Sequence, residues 1–83
     1  MSKRKQIDSC VDIIVYTMEN YHHDKKTEAL LQVMFTTMSI FLPEKDIIDI
    51  MKNKVIPKLS ENAHKDYFGF ISKYLNDLEA ENK

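Results

Sequence analysis

Residues 29–43, ALLQVMFTTMSIFLP, run for fifteen positions without a formal charge in a chain of which 30% is Asp, Glu, Lys or Arg. Set at 100° per residue, the stretch is apolar around more of a helix than one core requires. Leu30, Met34, Thr37 and Phe41 make one stripe at spacings 4, 3, 4, and Leu31, Phe35, Met38 and Leu42 make a second beside it. Val33 and Ile40 widen the apolar arc, leaving Gln32, Thr36 and Ser39 as the polar strip. A surface helix of a small bundle needs one apolar stripe. A helix with two is either enclosed by its neighbours or faces a partner.

The flanking sequence repeats the helical period. Gly69 is the only glycine, Pro43 and Pro57 are the only prolines, and no period-2 alternation occurs, so sheet and its turns are excluded. The chain is all-α, with helices expected at about 5–21, 27–42, 44–57 and 62–79. The first places Ile7, Val11, Ile14, Met18 and Tyr21 on one face, with Cys10 and Val15 beside them. Asp24 or Thr27 is the N-cap of the second, which ends before Pro43 because the residue preceding proline leaves the α region. Pro43, Glu44 and Asp46 suit the start of the third. That helix presents Ile47, Met51 and Val55, with Ile48 and Leu59 alongside, and Pro57 kinks or ends it. Ser60 or Asn62 caps the fourth, whose inner face is Ala63, Tyr67, Phe70, Ile71, Tyr74 and Leu78. Short links between four helices give a small antiparallel four-helix bundle. The alternative is a three-helix arrangement with a kinked or broken third helix, and either is open to completion by dimerisation.

Eighty-three residues hold one domain with one modest core. A net charge of −1 gives no general attraction to nucleic acid or to an anionic membrane. Eleven lysines against the single Arg4 also leave little of the residue that reads bases and phosphates bidentately. Cys10, the only cysteine, sits in an apolar context and reads as a buried structural thiol in a reducing compartment. The basic start, Lys3-Arg4-Lys5, is followed by Asp8 and Asp12 where a signal peptide needs an apolar run. The uncharged stretch is too short to span a bilayer. The expected location is the cytoplasm, without membrane insertion.

Candidate chemistry is sparse. Two Glu-x-x-His spacings, Glu19 with His22 and Glu61 with His64, resemble the metal-binding pattern of di-iron bundles, since residues three apart on a helix can aim at one ion. Both glutamates fall towards the polar arc, both pairs sit at helix ends, and Glu28 is the one further donor, so no metal site is assigned. His22-His23-Asp24 is read as a polar helix end, with histidine favoured near the C-terminal carbonyls. No Ser/His/Asp or Cys/His set can be drawn, and a single glycine excludes a glycine-rich phosphate loop. No catalytic residue and no cofactor are expected, and the chain is not read as an enzyme. Lys52, Lys54, Lys58 and Lys65, with Lys3, Arg4 and Lys5, are the residues a DNA-binding regulator would use. They alternate with Asp46, Asp49 and Asp66, which is the pattern of an ordinary solvated face.

In outline the chain is similar to small helical accessory proteins of bacteria and their phages or plasmids, such as immunity proteins, inhibitors and small regulators. That similarity is one of size and class. The function expected is a non-catalytic protein–protein interaction module working through a helical apolar surface, with a homodimer or a protein partner. A small DNA-binding transcriptional regulator is the alternative, and a metal-binding helical bundle the third reading. With Leu30, Met34 and Phe41 assigned to the core, the expected partner or dimer surface is Leu31, Phe35, Met38 and Leu42.

Overall fold

A computed structural model of the chain describes residues 3–81; Met1, Ser2, Asn82, Lys83 and the side chain of Lys3, part of the basic start, lie outside the described residues. Four α-helices and no strand are found among them: α1 (Lys3–Asn20), α2 (Lys25–Phe41), α3 (Glu44–Ile50) and α4 (Glu61–Glu81). The chain is an all-α helical bundle, as its period requires.

The helix boundaries follow local chemistry. Asp24 is the N-cap of α2, its carboxylate accepting the Thr27 N–H at 2.8 Å. Ser60 caps α4, its hydroxyl taking the Ala63 N–H and its carbonyl the His64 N–H. Leu42 leaves the helical region just before Pro43, whose carbonyl receives the first N–H groups of the following helix, those of Asp46 and Ile47. The third element is broken as Pro57 dictates. After Ile50 the chain widens into a π turn over Met51–Val55 and then tightens into a 3₁₀ turn over Ile56–Lys58. Pro57 has no N–H to donate, and its ring crowds the carbonyl of Asn53, four residues back. The Ile56 N–H instead reaches the Met51 carbonyl, five residues back.

α1 and α2 run antiparallel, since Gln6, Ile7 and Cys10 at the start of one meet Thr37, Met38 and Phe41 at the end of the other. α2 and α4 run parallel. Their first turns are bridged through His23, and Phe35 further along α2 stacks on Tyr74 further along α4. The core takes Val11, Ile14 and Met18 from α1, and Ile47, Ile50, Met51 and Val55 from the third element. From α4 it takes Ala63, Tyr67, Phe70, Ile71 and Leu78. Tyr21, expected on the inner face of α1, is exposed, and Cys10 is half-buried rather than enclosed.

The contribution of α2 is the reverse of the expectation. Leu31, Phe35, Met38 and Leu42 are in the core, with Phe35 only 2% exposed, while Leu30 and Phe41 face outward, Phe41 at 71%. The two stripes differ by one residue, Thr37 in the outward one against an all-apolar inward one, so the helix's own period chooses only weakly between them. Contacts beyond the stretch set its rotation. The inner stripe continues upstream through buried Thr27 to the Asp24 cap, and the neighbouring His23 is fastened to α4. Phe35 then meets Phe70 and Tyr74, with ring centroids 5.8 and 4.2 Å away.

Candidate functional site

Three regions collect the side chains that bear on function. The first is the outer face of the α1–α2 pair. On α2 it presents Leu30, Val33, Thr37, Ile40 and Phe41, and on α1 it presents Ile13 and Tyr16; every one of these is exposed. Half-buried Met34 lies along its inner margin. Neither residues 13–18 nor residues 29–42 include a charge. The two rows border one seam. Gln6, Ile7 and Cys10 line a cleft of about 640 Å³ with Thr37, Met38, Phe41 and Leu42, and Ile13 extends the Gln6–Cys10 row one turn further. The stripe expected to form the partner or dimer surface is buried instead. Leu31, Phe35, Met38 and Leu42 are internal to the chain, and Met38 and Leu42 touch the face only as the floor of its cleft.

The second region is the α1–α2 loop, where His23 rather than His22 is engaged. The His23 backbone N–H donates to the Asp66 carboxylate at 2.8 Å. Its ring Nε2 lies 2.9 Å from Glu28 Oε1, and the ring packs on Tyr67 and Phe70, at 5.0 and 5.7 Å between centroids. The Tyr67 hydroxyl donates to the Tyr21 carbonyl at 2.7 Å. Burial first, and the Asp66 carboxylate second, push the Tyr67 phenol above its ordinary value. The backbone N–H of Thr27, donated to Asp24, holds that carboxyl below the usual carboxylate range. The bonds from His23 to Asp66 and from Tyr67 to Tyr21 join groups more than forty positions apart, so helical spacing carried no sign of them. Their effect is structural: they hold the loop against α4.

The expected metal donors do not converge. Glu19 accepts the Ser60 N–H, Glu61 pairs with Lys65 at 3.3 Å, and His64 packs edge-on against Phe68. The side chain of His22 is fully exposed, 3.9 Å from Asp66, and Glu28 is held by His23. Among the described residues no three His, Cys, Asp or Glu side chains are grouped to hold an ion. Four lysines of the third and fourth elements are locally neutralised: Lys52 by Glu79, Lys54 by Asp8, Lys58 by Asp12 and Lys65 by Glu61, at 2.9 to 3.5 Å.

The third region is a groove of about 340 Å³ between α2 and α4, floored by Phe35, Phe70 and Tyr74. Burial, and then the Glu81 carboxylate, push the Tyr74 phenol up to about 12.

Compared with protein-family models, with curated proteins and with solved structures, the chain matches none. No helix among the described residues is long and apolar enough to cross a membrane.

Proposed function

We propose that this protein is a non-catalytic interaction module that docks the outer α1–α2 face onto a protein surface, and that the simplest such surface is a second copy of itself. The observation that carries the reading is the exposure of Ile13, Tyr16, Leu30, Val33, Ile40 and Phe41, between 49% and 72% each, on a two-helix face whose centre has no charge. Together these side chains expose on the order of 700 Å², close to one side of a standard protein–protein interface and above the largest apolar patch of most monomers. Phe41 and Ile40 project beside a cleft with apolar walls on the same face. A two-fold contact would therefore set each copy's projection against the other's cleft, as an isologous interface requires. Regulators, inhibitors and immunity proteins of this size act through such surfaces, which keeps them as the functional classes in view. The DNA-binding alternative gains no support from Lys52, Lys54, Lys58 and Lys65, since each is already opposed by a carboxylate.

Light scattering tests the reading. The wild type is expected to be a dimer at about 100 µM, a concentration at which an interface of this size is populated. Phe41→Glu and Val33→Glu should give monomers of undiminished helicity, since both side chains are outside the core. A wild type that stays monomeric, and whose binding of an apolar dye is unchanged by either substitution, would overturn the proposal.

A further inference from the structure

Two copies of the α1–α2 face can meet about a two-fold axis that runs along the helices or about one that crosses them. The heights of the residues on the face distinguish the two. α1 and α2 are antiparallel, rise equally at about 1.5 Å per residue, and set Gln6, Ile7 and Cys10 against Thr37, Met38, Phe41 and Leu42. Counted from that contact, Gln6 stands level with Phe41, Ile13 with Met34 and Tyr16 with Leu31, one residue from Leu30. The face therefore has unlike ends. At one end the cleft lies beside the two most exposed apolar side chains of the face, Ile40 at 72% and Phe41 at 71%. The other end presents Tyr16 and Leu30.

An axis along the helices keeps every height. Each copy's α1 lies on the other's α2, and the partner's Phe41 arrives at the height of the cleft. An axis across the helices exchanges the ends. It lays α1 on α1 and α2 on α2, carries the partner's Phe41 to Leu30, and leaves both clefts without the projection that fits them. A contact through α2 alone falls short on area. The exposed side chains of both helices are needed to approach the about 800 Å² that one side of a standard interface takes.

We propose, on the reading of this face as a self-association surface, that the dimer is a four-helix contact whose two-fold axis follows the seam between α1 and α2. Each α1 lies on the other copy's α2, and the partner's Phe41 is seated in the cleft beside Cys10.

Mixed cross-linking of single-cysteine variants tests the axis. In a Cys10→Ala background, Tyr16→Cys is mixed with Leu30→Cys in one arm and with Gln6→Cys in the other. All three positions are exposed, so the substitutions leave the core untouched. A disulfide needs Cα atoms within about 7 Å. An axis along the helices brings Tyr16 to the partner's Leu30, whereas an axis across them brings Tyr16 to the partner's Gln6. Under mild oxidation the first mixture is expected to give the mixed disulfide, identified by mass. It should form about tenfold faster than in the same mixture carrying Val33→Glu in both chains, as the rise from about 100 µM in solution to about 1 mM within a dimer implies. A wild type that scatters light as a dimer, with cross-linking in the second mixture instead or in neither, would overturn this arrangement and leave self-association standing. A rate unchanged by Val33→Glu would mark collision rather than contact and overturn it too. A monomeric wild type would overturn both.

Discussion

Gly69 sits in the middle of α4, on its exposed side, and a Cβ built on it meets nothing within 4 Å. No close approach needs the missing side chain, and the backbone there has no positive φ. Glycine in a helix interior costs about 1 kcal/mol relative to alanine. Gly69→Ala is accordingly expected to stabilise the protein by about that amount in urea denaturation, with no change in oligomeric state. Tyr74 sets a pH dependence. Its phenol is pushed from an ordinary value near 10 to about 12, by burial first and by Glu81 second. The folded protein thus holds this proton more tightly than the unfolded chain. The resulting stability is complete below pH 10 and is lost as the pH rises from 10 towards 12. Partial exposure to water reduces its size. Tyr67, raised by burial and Asp66, acts in the same direction. Urea midpoints should therefore fall over this interval, and Tyr74→Phe should lessen the fall without abolishing it.

At the scale of the element, α2 separates what a local pattern determines from what it does not. Its helical character, its end at Pro43 and the surplus of its apolar surface all follow from residues within a few positions of one another. The inward residues of α1, the third element and α4 were readable for the same reason, apart from Tyr21 and the unforeseen Ile50. The break in the third element was readable as well, since Pro57 removes a donor whatever surrounds it. The rotation of α2 about its axis was not, because it depends on the His23–Asp66 and Phe35–Tyr74 contacts, formed with residues about forty positions away. For the same reason the stripe expected to form the partner surface is the buried one, and the α2–α4 groove gave no local sign. A pair of substitutions distinguishes the two stripes. Phe35→Ala is expected to cost about 3–5 kcal/mol, as truncation of a buried phenylalanine does, whereas Phe41→Ala should stay within about 0.5 kcal/mol when measured on the separated monomer. Equal costs would mean that α2 is packed on both sides.

At the scale of the whole molecule, the association proposed for the α1–α2 face would tie folding to concentration. A dimer that forms only between folded copies stabilises them by mass action, so the thermal midpoint should climb as the protein is made more concentrated. For Val33→Glu it should stay constant across the same range, and scanning calorimetry at several dilutions compares the two. The distribution of charge has one more effect. The ion pairs Lys54–Asp8, Lys58–Asp12 and Lys52–Glu79 link the third element to α1 and α4, while the centre of the outer α1–α2 face carries no charge. A particle that water wets on one side and not on the other is an amphiphile built from a folded chain. Such a particle is expected to gather at an air–water boundary with Val33, Ile40 and Phe41 turned upward. Tensiometry on wild type and Val33→Glu checks this: the wild type should lower the surface tension further, as a detergent does with its tail.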